Sequence, residues 1–283
     1  MSEMMRALVL RGIGDLVCDL VPRPVPQPGE ALVRVAAAGV CGSDMPRIYV
    51  HGAYRFPLIP GHELSGVVEA LEGDPGPHAA PDLSVGQRVV LVPLIPCRRC
   101  AYCQVGAYAQ CIAYDYLGSR RDGGFAEYVA VPQANLLPLP EGVDLLDAAL
   151  TEPAAVALHA MRQGQVQPGD IVAILGAGPI GMLLAQWARI LGAGRVLLTD
   201  IDPRKLEMAR NLRLGDTCNA RQDDPVSWVQ QVTHGHGADV VVEAAGASIT
   251  LEQSLRIARP LGRVVIMGNP SGEARLPQDA VSQ

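Results

Sequence analysis

Ile171-Val-Ala-Ile-Leu175-Gly176-Ala-Gly178-Pro-Ile-Gly181 is the stretch from which the architecture can be read. Its first five residues form a short apolar run of the kind that suits a buried parallel strand. The next six fit G-x-G-x-x-G, and they stand directly between that strand and a helical pattern, the context that gives the motif meaning. Ile180, Leu183, Leu184, Trp187, Ala188 and Leu191 then recur at i, i+3, i+4, i+7, i+8 and i+11, one apolar face of a helix. The first glycine permits a tight turn, the second lets backbone approach a pyrophosphate, and the third lets helix and strand pack closely. Phosphates would sit at the helix N-terminus, where unpaired N–H groups and the dipole favour negative charge. Asp200 follows Gly181 by nineteen residues, at the end of a second strand. A carboxylate there accepts hydrogen bonds from a ribose 2′-hydroxyl and repels a 2′-phosphate, which predicts NAD; Arg204 and Lys205 close behind keep NADP open. The candidate cofactor-binding set is Gly176, Gly178, Pro179, Ile180, Gly181, Asp200 and Arg204.

Onward from the fingerprint, strands and helices alternate: strand Arg195–Thr199, helix Pro203–Arg213, strand Asp216–Asn219, helix Pro225–Thr233, strand Asp239–Glu243, helix Ser248–Ala258 and strand Gly262–Met267. Such alternation implies a doubly wound parallel sheet. Upstream the character is different. Arg6–Leu10, Ala31–Ala38, Leu64–Ala70, Gln87–Val92, Phe125–Val131 and the region of Leu136 read as short strands bounded by turn residues. Pro22–Gly29 is a proline-rich connector, Gly73–Asp82 a surface loop, and Asp147–Gln163 a helical stretch containing Pro153, a residue able to sit at a first turn. The fold class is therefore mixed: a β-rich domain over 1–155, then an α/β domain over 156–283.

Bulk properties narrow the function. Net charge is −6 and no basic run occurs, which argues against nucleic acid. The N-terminus has no apolar h-region, and the longest apolar stretch, Ile171 to Ala185, is short and interrupted, so neither a signal peptide nor a membrane span is expected and the cytoplasm is the expected compartment. Seven cysteines, four of them crowded together, then favour metal over disulfides.

Those four are Cys97-x-x-Cys100-x-x-Cys103 and Cys111. Four thiolates make a closed tetrahedral shell for Zn²⁺ with no position left for chemistry. The spacing does not match the common iron–sulfur patterns. A second group stands apart: Cys41-Gly-Ser43-Asp and Gly61-His62-Glu63. Catalytic zinc keeps three protein ligands and one open position. Cys41 and His62 supply two; Glu152 is the expected third, with Glu63 in reserve. Singly, each has an ordinary reading, a buried thiol for Cys41 and a hydrogen-bonded turn residue for His62.

The chain resembles the zinc-dependent medium-chain alcohol/polyol dehydrogenases. The resemblance is carried by Gly39-Val-Cys-Gly-Ser-Asp44, Gly61-His-Glu63, the four-cysteine lobe, Asp122-Gly-Gly-Phe-Ala-Glu-Tyr128, Glu152-Pro153 and Gly176–Gly181. It implies a GroES-like catalytic domain with a structural-zinc lobe over 93–115, a Rossmann domain, and an active-site cleft between them. It implies catalytic zinc on Cys41, His62 and Glu152, Glu63 as a near or alternating ligand, structural zinc on Cys97, Cys100, Cys103 and Cys111, and NAD as cofactor. Ser43 matches the hydroxyl that starts the proton relay; Pro46 stands where many relatives carry histidine, so the later relay steps differ. The expected reaction is hydride transfer from a secondary alcohol of a polyol or polyol phosphate to NAD. Adjacent Arg120 and Arg121 suit a substrate phosphate through bidentate bonds, against an ordinary solvated pair near Asp122.

Relatives form homodimers or homotetramers through a sixth strand and return a final segment to the catalytic domain. Only five strands are countable before Gln283, so the expectation includes an incomplete sheet and, as a second hypothesis, a fragment that holds zinc and nucleotide without turnover. Cys18, Cys218, His159 and Trp187 are expected in the core, His234 and His236 in an exposed turn, and His51 and His78 in loops.

Overall fold

The computed structural model describes residues 3–80, 83–269 and 276. The chain divides into two compact units, Met1–Glu152 and Pro153–Gln283.

The first unit is antiparallel β. A five-stranded sheet runs in the spatial order Tyr128–Pro132, Glu30–Gly39, Glu63–Leu71, Arg88–Leu91, Leu136–Pro138. Its inward residues, among them Val33, Leu64, Val68, Val89, Val129 and Leu136, form one buried cluster. A hairpin of Met4–Gly12 and Asp15–Pro22 is joined to that body by bridges from Ala7 to Ala126 and from Leu10 to Leu58. A two-stranded piece, Leu94–Ile95 with Asp115–Tyr116, brackets the cysteine-rich segment.

The second unit is a five-stranded parallel sheet, ordered Asp216–Asn219, Arg195–Asp200, Ile171–Leu175, Ala238–Glu243, Ala258–Ile266. Alternate residues of each strand feed opposite faces, as the two-residue strand period requires. Val172, Ile174, Val240 and Val242 pack beneath helices Pro179–Ile190 and Pro203–Asn211, while Ala173, Leu175 and Val241 pack toward Pro225–Val232 and Ser248–Ile257. Both faces are covered, which is why these strands read as continuous apolar runs. No described helix is long and apolar enough to cross a membrane.

Several expectations need correction. Cys18, expected as a packed core thiol in a strand-like stretch, does lie in a strand, Asp15–Pro22, but is exposed, because that strand is the outer one of a hairpin. His159 is exposed too: the helix Thr151–Gln163 buries Pro153, Ala157, Ala160 and Met161, and His159 lies off that stripe. The helix expected from Asp147 is two helices, Leu145–Ala148 and Thr151–Gln163. Pro153 has no N–H to offer the carbonyl four residues back, so the ladder breaks at Ala149. The last strand begins at Ala258 and shifts register before Arg263, with Pro260 and a positive φ at Leu261 inside the irregularity. Cys218 is buried, Trp187 packs against the core and donates its indole N–H to the Ala154 carbonyl, and His234 and His236 are exposed. Part of the expected loop Gly73–Asp82, its last two residues, lies outside the described residues, as does most of the chain after Asn269.

Candidate functional site

Cys41 and Glu63 are brought together by strand pairing. Gly39 ends one strand and is registered opposite Glu63, the first residue of its antiparallel neighbour. Cys41 follows two residues later in a turn closed by its own N–H donating to Asp44 Oδ2 at 3.1 Å. His62 immediately precedes Glu63. Ligand atoms of Cys41, His62 and Glu63 lie within 4.8 Å of one another. A methyl group at position 39 would overlap the Glu63 carboxylate, so glycine is what lets that side chain lie across the strand.

Glu152 stands beside this trio rather than within it. Its carboxyl accepts from the Tyr116 hydroxyl, and burial followed by the Glu63 charge pushes it up to about 7. Tyr116 itself meets the His62 ring edge-on at 5.7 Å between centroids. Of the two carboxylates weighed for a third ligand, the geometry brings Glu63 closer to Cys41 and His62.

The electrostatics of this group are one-sided. Burial raises the Cys41 thiol and the Glu63 carboxyl and lowers the His62 imidazole, each toward its uncharged form. Asp44 is fully buried; its Oδ1 takes Arg47 at 2.6 Å and lies 3.6 Å from His62 Nδ1. That nitrogen is buried and has no hydrogen-bond partner. Three acidic groups in a desolvated corner, with the nearest guanidinium already engaged by Asp44, make a site that a divalent cation would complete: it would favour the ionised thiol and carboxylate that burial alone opposes. Ser43 is exposed, and its hydroxyl donates to Cys41 Sγ at 3.3 Å. Sequence patterns did not single out Asp44, Arg47 or Tyr116; Asp44 and Arg47 sit on the same short helical turn as the Cys41 motif, but nothing in the sequence around Tyr116 tells of Glu152.

The four cysteines of the other cluster, Cys97, Cys100, Cys103 and Cys111, also have their sulfurs within 4.8 Å. No disulfide joins them. Backbone N–H groups of Arg99 and Cys100 point at Cys97, and those of Ile112 and Cys103 at Cys100, bringing the Cys100 thiol down to about 6. Cys103, in the interior of the lobe, is pushed up to about 12 by desolvation. Four converging sulfurs with amide donors aimed at them fit a closed tetrahedral metal shell.

In the second unit Gly176 has φ +109°, and a Cβ there would come within 2.9 Å of Ala244 and Ala245. A Cβ at Gly181 would overlap the Gly176 carbonyl. At Gly178 it would meet nothing, so the protein itself gives no packing reason for glycine at that position. The helix Pro179–Ile190 opens there with Pro179 at its start and no side chain capping it. Asp200 ends the neighbouring strand; Oδ2 accepts from Ala177 N–H and Oδ1 from Asp202 N–H, both at 2.8 Å, with Lys205 Nζ at 3.6 Å. Arg204 is turned back onto Asp202, which its guanidinium and N–H hold at about 2. Open space at the middle glycine and bare N–H groups at the helix start fit a diphosphate.

Arg121 is engaged by Glu30 at 2.7 Å, whereas Arg120 lies over the rings of Tyr54 and Tyr114 at 4.2 and 4.6 Å. Neither pairs with Asp122, which Arg55 holds.

Comparison with known proteins agrees with this geometry. Residues 27–141 match the alcohol dehydrogenase GroES-like domain and residues 179–282 the zinc-binding dehydrogenase family. Galactitol 1-phosphate 5-dehydrogenase of Escherichia coli K12 is 37% identical over 257 residues, 91% of this chain and 72% of that protein. Sorbitol dehydrogenase of Bacillus subtilis 168 is 32% identical over 273 residues, covering 94% and 76% respectively. A zinc-binding dehydrogenase of Sinorhizobium meliloti 1021, solved bound to NADP, superposes with a TM-score of 0.90 at 33% identity, over 99% of this chain and 82% of that one. With a GroES-like domain, a Rossmann-like parallel sheet and relatives of this kind over nearly its whole length, the chain belongs to the zinc-dependent medium-chain alcohol/polyol dehydrogenases.

Proposed function

We propose that this oxidoreductase transfers a hydride from a secondary alcohol of a polyol or polyol phosphate to NAD. The observation that supports it most directly is the convergence of half-buried Cys41 with buried His62 and Glu63 into one trio. Zinc held there would supply a Lewis acid that lowers the pKa of an alcohol, and the nicotinamide would take the hydride. Cys41, His62 and Glu63 hold the metal in this reading, leaving its fourth position for substrate. Asp44 accepts from Cys41 N–H and so holds the Cys41 turn, and with its Oδ1 3.6 Å from His62 Nδ1 it would favour Nε2 as the imidazole atom offered to a metal. Glu152, held by Tyr116, stays close enough to exchange with Glu63 or to bond a water beside it. Ser43, exposed and 3.3 Å from Cys41 Sγ, carries the alcohol proton outward. Cys97, Cys100, Cys103 and Cys111 would hold a second zinc, which would pin the lobe and leave no position for chemistry.

NAD is favoured over NADP because Asp200 presents a carboxylate where the ribose lies, while Arg204 is neutralised by Asp202. The closeness to galactitol 1-phosphate 5-dehydrogenase makes that sugar phosphate the first substrate to try. Arg121 is neutralised by Glu30, so a substrate phosphate would have to meet Arg120.

The test is metal analysis of the purified chain, followed by NAD and NADP reduction with galactitol 1-phosphate, galactitol and sorbitol. Two zinc per chain and NAD-dependent turnover are expected. Turnover that survives complete zinc removal would refute the metal role. Preference for NADP would refute the role given to Asp200.

A further inference from the structure

Glu243 is a carboxylate buried to 1% exposure at the end of the strand Ala238–Glu243, and no part of the mechanism above uses it. Its Oε1 accepts three hydrogen bonds: from the N–H groups of Ala245 and Gly246 at 3.0 and 2.9 Å, and from the Thr250 hydroxyl at 2.7 Å. Its main-chain carbonyl accepts from Met267 N–H at 2.9 Å and Gly268 N–H at 3.1 Å, across the neighbouring strand. One residue therefore ties down the loops that follow two adjacent strands. Its Oε2 is buried with no partner among the described residues, and a methyl group at Gly268 would overlap that oxygen and the Gly246 nitrogen. A buried carboxylate left half-satisfied is costly and calls for a functional explanation.

Its place in the sheet supplies one. The strand Ile171–Leu175 lies between Arg195–Asp200 and Ala238–Glu243, and the chain proceeds first to one side and later to the other. The helices that follow Leu175 and Glu243 pack on opposite faces, so the loops part there and leave the crevice in which open α/β sheets bind ligands. The fingerprint turn forms one wall. Ala244–Gly246 forms the other, close enough that a Cβ on Gly176 would touch Ala244 and Ala245 at 2.9 Å. A dinucleotide with its diphosphate on the first wall must lay its far half along the second.

We propose that Glu243 is a positioning residue for the nicotinamide half of the cofactor. It fixes the backbone of 244–246 and 267–268, whose N–H groups are all engaged by Glu243 or by Leu175, so that the carbonyls of these loops are what stands ready for the carboxamide. The inference rests on the dinucleotide reading above.

The experiment compares NADH with ADP-ribose, which lacks the nicotinamide, binding to Glu243→Ala, Glu243→Gln and Thr250→Val by titration calorimetry, with zinc content and far-UV circular dichroism as checks of the fold. Glu243→Ala should weaken NADH about tenfold, the effect of a lost buried hydrogen-bond hub, and ADP-ribose clearly less, because its diphosphate rests on the helix start at Gly178, to which Glu243 makes none of its hydrogen bonds. Thr250→Val, which removes one donor and keeps the carboxylate, should shift NADH the same way by less. Equal weakening of both ligands, or no weakening of NADH in folded Glu243→Gln and Thr250→Val, overturns the assignment. Should Glu243→Ala not fold, those two milder variants decide. If the unaltered chain bound neither NADH nor NADPH, the dinucleotide reading itself would fall instead.

Discussion

Replacing Gly178 and Gly181 separately by alanine should split ligand binding from folding within one motif. At Gly178 the backbone is extended, φ −71° and ψ −175°, and an added methyl meets no atom of the protein. Alanine is a poorer N-cap than glycine by about 0.5 kcal/mol, and it recovers about 0.4–1 kcal/mol by restricting the unfolded chain. The two offset, so the melting temperature should stay within about 2 °C. The methyl would occupy the space in front of the helix start, where a diphosphate must approach the backbone, and NADH affinity should fall at least about tenfold. At Gly181 the methyl would overlap the Gly176 carbonyl oxygen and come within 2.9 Å of its carbon, so helix Pro179–Ile190 must move off its strand. Overpacking of this kind costs about 1–3 kcal/mol, or roughly 2–12 °C for a unit of this size. Differential scanning calorimetry and quenching of protein fluorescence by NADH measure both quantities on the same samples. If Gly178→Ala melted as early as Gly181→Ala, or bound NADH as tightly as the unaltered chain, the ligand explanation for the middle glycine would be wrong.

The metal trio makes a distinction that zinc analysis can read: Glu63→Ala should lose about one zinc equivalent per chain, whereas Glu152→Gln, outside the trio, should retain both. Retention by the first and loss by the second would exchange their roles. Cys103→Ser, which removes the most buried donor of the lobe's metal shell apart from Cys111, should lose the other equivalent and open residues 93–115 to trypsin, with little change in NADH affinity. The Arg204 guanidinium and N–H hold the Asp202 carboxyl at about 2, below its ordinary 3.8, so its contribution is present above the ordinary value and lost as pH falls through the lower one. Asp202→Asn should therefore flatten stability between pH 4 and 2 in acid titrations, and, by releasing Arg204, improve NADPH binding several-fold; an unchanged acid limb would reject the pairing.

Much of the second unit was legible because its strands are short, apolar on both faces and separated by amphipathic helices, so that Val172, Val240 and Val242 declare themselves without tertiary knowledge. The first unit was harder. The stretch around Cys18 reads as strand, but the sequence does not tell which of its faces is solvated: Asp15–Pro22 pairs with Met4–Gly12 and leaves Cys18 on the outer side. The cysteine lobe was readable from spacing alone, for four thiols within fifteen residues can hardly avoid one another. The choice between Glu63 and Glu152 was not readable: it depends on the register that sets Gly39 opposite Glu63 and on a tyrosine thirty-six residues before Glu152 in the chain. Glu243 was placed at a strand end by pattern, but its role depends on loops that only the sheet order brings side by side.

The bare backbone at Gly39 has a hereditary consequence. Because a side chain there would meet the Glu63 carboxylate, position 39 can enlarge only if that carboxylate moves from its present place. A descendant with alanine or larger at 39 would have to turn the Glu63 carboxylate aside or shorten residue 63, and either way would draw an oxygen donor away from the metal. Across related genes, then, loss of the glycine at 39 should occur where the carboxylate at 63 is already gone, and lineages that have abandoned zinc should be where that glycine is first lost.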